Sequence, residues 1–322
     1  MKFGKEFLTV DEQINLLLSK GLSISDVSSA KIVLLDHSYY EIVNGYRDPF
    51  LIPKNGKKQD KIFKEGAAFK ELFALYSFDF RLRSFLLPYV LAVEEKVKTK
   101  TIYQFLNEKS SDGSAKNPKN SYLNSSSYDS SSPRAKVSSS TVIVDLKENI
   151  KHGLKKYPAF SYYQNKYGFI PLWVLATNMT FGEMSRFYEA MDISCRSRVA
   201  RNYGLFENDF RTILKVLTVF RNCCAHGGRL YCFFQPYYLP RIKKDNIFIV
   251  PDSFSQRKFG SVLLCFYWLL SPKEFRAVIN ELCHELSVLV KVLQTINWRE
   301  VLNYLGISPN MEIAFKIHAV KV

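Results

Sequence analysis

Cysteine is missing from more than half of the chain: none precedes Cys195. The six present are Cys195, Cys223, Cys224, Cys232, Cys265 and Cys283, and none forms a C-x-x-C pair. That is no disulfide framework, and it fits a reducing compartment. A metal held by Cys223, Cys224, His226 and Cys232 can be drawn. Adjacent cysteines on a helix, however, point about 100° apart and chelate poorly. No metal and no cofactor is therefore expected. Long apolar runs are lacking too. The longest, residues 262–270, is far short of the roughly 20 residues that span a bilayer. Residues 1–6 lack the apolar stretch of a signal peptide. The expectation is a soluble, cytoplasmic protein with no membrane partner. No glycine-rich phosphate loop and no paired-carboxylate metal motif occurs, which argues against a nucleotidyl- or phosphotransferase.

Acidic residues are scarce: 30 Asp and Glu stand against 45 Lys and Arg, for a net charge of +15. With an isoelectric point near 9.4, the chain favours a polyanionic partner, nucleic acid before membrane. Hydrophobic residues make up 47% of the 322, enough for a large core. The 19 Tyr and 25 Phe include rings that could stack on bases, although most rings belong to a core. Two basic stretches are candidates for phosphate contact: a loop with Lys57, Lys58 and Lys61, and the segment Arg241, Lys243, Lys244. The competing reading for the lysine loop is a solvated surface.

The apolar pattern has the helical period almost throughout. Thr9 and Glu12 form a capping box for a first helix that Gly21 ends. Residues 67–106 carry the strongest periodicity, kinked or divided at Pro88. Glu94 and Glu95 on that segment are either a solvated face or the partner of an arginine in the bundle. Residues 108–140 are serine-rich and read as a flexible insertion. Residues 142–157 read as a helix. Phe181 and Gly182 read as a break before a short helix. Asn208 or Asp209 suits the N-cap of the next long one. Residues 230–250 suit a small hairpin or an irregular loop, and two helices follow at 259–270 and 273–297. The expected fold class is all-α, a helical bundle, with residues 1–65 as an N-terminal helical unit, 66–305 as the bundle and 306–322 as a tail.

The apolar run Ile213, Leu214, Val216, Leu217, Val219, Phe220 ends in Arg221-Asn222-Cys223-Cys224-Ala225-His226, then Gly227-Gly228-Arg229-Leu230. The two glycines stop a helix there. Histidine exchanges protons near neutrality, and arginine presents a fork that fits phosphate oxygens. Together they suit metal-free RNA cleavage. On a regular helix the two sit roughly 140° apart. Either the helix breaks near residues 224–226, or two copies of the motif meet across a homodimer. The bland alternative is a histidine interacting with its helix C-terminus.

This hexapeptide resembles the R-x4–6-H signature of HEPN ribonucleases. With its tail it is similar to the R-N-x-x-A-H-x-x-R-L pattern of the bacterial Abi family, the AbiD/AbiF-like abortive-infection proteins. Further blocks resemble the same family in order: residues 8–14 and 17–22, 44–50, 75–83, 171–174 and 180–185. The resemblance implies a HEPN helical bundle, a toxin-type endoribonuclease for phage defence, and a structured noncoding RNA that binds and restrains it. It implies catalytic positions at Arg221 and His226, an orienting role for Asn222, and a structural or RNA-contacting role for Arg229. The alternative is a non-catalytic RNA-binding scaffold that keeps the motif for structure or phosphate contact.

Overall fold

In the computed structural model the described residues are 7–53, 61–111, 121–239, 242–244, 247–249 and 257–318. The fold is all-α and is built around one long helix, α3, Phe69–Ser111. Its 43 residues span roughly 65 Å at 1.5 Å per residue. Leu72, Leu75, Leu82, Leu86, Val90, Val93 and Val97 recur at spacings of three, four and seven and are buried. α3 runs undivided through Pro88. An interior proline costs about 3 kcal/mol. Here Leu86 and Val90, on either side of it, are fully buried, and that packing holds the helix together.

The N-terminal unit comprises α1 (Val10–Ser19), α2 (Val27–His37), a π-turn at Tyr40–Asn44 and a 3-10 turn at Asp48–Phe50. The Thr9–Glu12 capping box is present. The bridge Ser23–Ala68 ties the unit to the start of α3, and the bridge Leu51–Phe63 joins two of its own segments. Its Ile14, Leu17, Leu34, Ile42 and Phe50 lie in the same apolar cluster as the bundle.

The serine-rich stretch departs from expectation. Two 3-10 turns, Ser121–Leu123 and Ser125–Ser127, lead into α4, Pro133–Lys156. Tyr122 and Tyr128 are buried. The Tyr122 hydroxyl donates to the Ile170 carbonyl at 2.6 Å, and Tyr128 donates to the Tyr122 carbonyl at 2.5 Å. The serines serve the backbone: Ser132 caps α4 and Ser139 donates to the Asp129 carbonyl. Two aromatic anchors thus order residues 121–140, and low average hydropathy hid them. Residues 112–120 lie outside the described residues.

α5 (Pro158–Tyr167), α6 (Leu172–Leu175), α7 (Phe181–Ala190), α8 (Ile193–Arg201) and α9 (Glu207–Ala225) follow. Phe181 and Gly182 are no break but the first turn of α7, whose N-cap is Thr180 in a capping box with Glu183. A short antiparallel hairpin follows the motif: β1 (Ile242–Lys244) pairs β2 (Ile247–Ile249), with Ile242 opposite Ile249. α10 (Gly260–Leu269) is buried except at Tyr267. α11 (Pro272–Val290) lies along α3, and α12 (Trp298–Leu305) and α13 (Pro309–Phe315) close the bundle. Residues 306–318 are therefore not a loose tail. Met311, Phe315 and Ile317 are buried, and Phe315 packs edge-on to Phe275 with centroids 4.9 Å apart.

Candidate active site

The motif ends α9. Phe210, Ile213, Leu214, Val216, Leu217, Phe220, Cys223 and Cys224 form its buried face, so Asn222, Ala225 and His226 fall on the exposed side. At the other end the N-cap is Phe206, extended and without a side-chain cap bond, rather than Asn208 or Asp209. Glu207 and Asp209 lie in the first turn instead, where a negative charge suits the helix dipole.

His226 is the C-cap residue, and its N–H donates to the Asn222 carbonyl. α9 stays regular up to the histidine and ends there, so Arg221 and His226 keep their helical phase. Gly227 has φ +70°, a conformation open to glycine at no steric cost. The Gly228 N–H then donates to the Cys223 carbonyl at 2.8 Å, the long bond of a Schellman turn. A β-carbon on Gly228 would lie 2.5 Å from the Cys223 sulfur. Both glycines are thus required, one by torsion and one by close approach.

A buried polar network holds the turn. The Arg83 guanidinium donates to the Gly228 carbonyl at 3.1 Å and to Asp79 at 2.6 Å. Asp79 also accepts from the Tyr46 hydroxyl and the Tyr231 N–H, each at 2.7 Å. The Tyr231 hydroxyl donates to the Gly45 carbonyl, and the Tyr46 and Tyr231 rings stack 5.1 Å apart. Burial pushes the Asp79 carboxyl up, against the opposing pull of Tyr46, Arg83 and Tyr231. Three elements distant in sequence meet here to fix the chain after His226.

Arg221 points toward α3. Its Nε lies 3.6 Å from an oxygen of Glu94, whose other oxygen takes Lys98 at 2.7 Å. Glu94 is buried and so is the arginine's partner, not part of a solvated face. The contact is too long for a hydrogen bond. Among the described residues neither the Arg221 Nε nor that Glu94 oxygen has a hydrogen-bond partner. A groove of about 690 Å³ opens beside Glu94, with Tyr103 and Trp173 on its wall.

The model of the family described as Abi-like protein matches residues 32–232. That span is more than half of the chain and holds Tyr46, Asp79, Arg83, Glu94 and the whole motif. The chain belongs to the Abi-like protein family. No curated protein and no solved structure matches it.

In this Abi-like protein the other sequence candidates scatter. Arg229 is exposed and lies across Gly45, its Nη1 3.5 Å from the Asn44 carbonyl, bridging motif and N-terminal unit. Lys61 sits 4.0 Å from Asp48, and Asp48 is near enough to act on the Tyr231 hydroxyl. Lys57, Lys58 and Arg241 lie outside the described residues. Lys243 and Lys244 are placed in β1 by backbone alone. Cys223 and Cys224 face the core, and burial pushes both thiols up to about 12. Among the described residues no three His, Cys, Asp or Glu side chains are grouped to hold a metal, and no helix is long and apolar enough to cross a membrane.

The network at Asp79 was not foreseen from sequence. Its signal was there: Asp79 stands seven residues from both Leu72 and Leu86, on the buried stripe of α3. A carboxylate at such a position must find partners.

Proposed function

We propose that this Abi-like protein is a toxin-type HEPN endoribonuclease of phage defence that cuts RNA through Arg221 and His226 without a metal. The observation that carries this reading is the pairing at the open end of α9. An exposed imidazole sits there, free of hydrogen bonds among the described residues. Five residues before it, about 140° away in helical phase, stands a half-exposed arginine, backed by the buried Glu94. Family membership supports the defence role.

The chemistry needs a base, an acid and a charge stabiliser. One imidazole removes the proton from a ribose 2′-OH. That oxygen attacks the adjacent phosphorus and the P–O5′ bond breaks. A protonated imidazole gives the leaving 5′-oxygen its proton. The products are a 2′,3′-cyclic phosphate and a 5′-OH. The arginine holds the charge that builds on the non-bridging oxygens. One chain supplies one such pair, so two copies in a homodimer supply the acid and the base together. Asn222, exposed beside Arg221, orients the phosphate. A structured noncoding RNA bound to the basic chain would restrain the activity in the host.

The test is incubation of the full chain and its His226→Ala variant with labelled single-stranded RNA in EDTA. Cutting by the wild type alone, with cyclic-phosphate ends, is expected. RNA that is bound but uncut by the dimer, freed of any co-purified RNA, would instead make the protein a scaffold.

A further inference from the structure

A second basic feature lies further back on α9, away from the motif. Arg134, Arg186, Arg196, Arg211 and Lys215 line a cleft of about 430 Å³ with Asp129 and Glu189. It is formed by the N-terminal turn of α4 and by α7, α8 and α9. Two of the cations are engaged from its flanks: Arg186 grips Asp145 with two nitrogens, and Arg196 faces Glu207 at 3.5 Å. Arg211 and Lys215 share the single carboxylate of Glu189, at 3.6 and 2.9 Å. Arg134 is exposed and pairs with no carboxylate among the described residues. Asp129 lies near Arg196, so the cations exceed the carboxylates on the side of Arg134 and the Arg211–Lys215 pair.

The cleft and the motif share one face of one helix. At 100° per residue, Arg211, Lys215, Thr218, Asn222 and Ala225 fall within about 80° of each other. All five are half-buried or exposed. Gly182 of α7 borders this face beside Thr218. A β-carbon there would meet Thr218 at 3.5 Å and Arg186 at 3.8 Å. The rise from Arg211 to Asn222 is roughly 16 Å.

We propose that this cleft binds the phosphodiester backbone of the single-stranded RNA whose scissile bond lies at His226, with Arg134, Arg211 and Lys215 on the phosphates. The proposal rests on the ribonuclease reading and places the strand along α9. It does not use the lysine loop at residue 61 or the hairpin.

The experiment measures fluorescence anisotropy of a labelled 20-nucleotide oligouridylate as the salt concentration is varied. Full-length His226→Ala protein is used so that the probe stays intact. Each phosphate contact on a single strand contributes about −0.7 to the slope of log K against log salt. Arg134→Ala with Lys215→Ala is expected to flatten the slope by about 1.4 and to weaken binding on the order of tenfold at 0.1 M salt. The exposed single change Arg134→Glu, which disturbs no packing, is expected to weaken binding as well. Lys273→Ala with Lys291→Ala removes the same charge from the first turn and the C-cap of α11 and serves as the control. An unchanged slope in the cleft variants, an equal loss in the control, or no binding by the intact cleft overturns the proposal. Cleavage is scored separately in the His226 background. RNA still cut by a cleft variant of unchanged affinity defeats the cleft alone. A cleft-dependent slope with no cutting defeats the ribonuclease reading alone.

Discussion

Asp79 and Arg83 do the work that lets a short motif keep its shape. Asp79 is fully buried and holds Arg83, the Tyr46 hydroxyl and the Tyr231 N–H. Asp79→Ala leaves the arginine charge without its partner and two donors unsatisfied, so it is expected to cost roughly 3–5 kcal/mol in urea unfolding. Asp79→Ala with Arg83→Met should recover a good part of that loss, because no lone charge stays buried. Gly228 makes the second test at this scale. Gly228→Ala drives a β-carbon into the Cys223 sulfur and is expected to destabilise by about 1–3 kcal/mol. In a Cys223→Ala background the penalty should shrink. A double-mutant cycle with no coupling would show that the clash is relieved elsewhere.

Among the elements, α11 shows what a cap contributes and how pH tests it. Ser271 and Glu274 form its capping box, and Lys96 of α3 donates to Glu274 at 2.6 Å. The Lys96 ammonium, with the Ser271 cap bonds, lowers the Glu274 carboxyl to about 2. A lowered acid binds its proton less readily folded than unfolded. Its stabilisation is thus fully present above about 4.5 and fades as pH falls toward 2. Wild type should exceed Glu274→Gln in urea midpoint at pH 6, and the two should converge near pH 2. A gap that persists undiminished at low pH would assign the effect to packing. Caps of this kind were legible in the sequence at Thr9, because a hydroxyl and a glutamate three residues apart bound a periodic run. α3 and α9 were legible from their buried stripes. The start of α4 was not, because its serines carry no apolar period and only Tyr122 and Tyr128 anchor the turns before it. α13 was missed because seven residues give too few turns to show a period. At the site, Arg221 and His226 could be read from one hexapeptide. Glu94 could be named only as one of two options, and the Asp79 network joins residues 46, 79, 83, 228 and 231, which no local window connects.

At the scale of the whole molecule the proposed site draws on two copies of the chain. Arg221 and His226 leave α9 about 140° apart in helical phase, and the chain turns only after His226, at Gly227. The proposed site needs both imidazoles, one as base and one as acid, so a chain without its histidine spoils its partner. Arg221→Ala and His226→Ala are each expected to be inactive alone. When equal amounts of wild type and His226→Ala are mixed and exchange, only about a quarter of the dimers hold two histidines, so about a quarter of the cleavage given by the same total of wild type should remain. Cross-linking each protein before mixing should raise that to about a half. A site assembled within one chain leaves about a half with or without exchange. Wild-type cleavage would then be first order in protein down to dilutions at which a dimer falls apart.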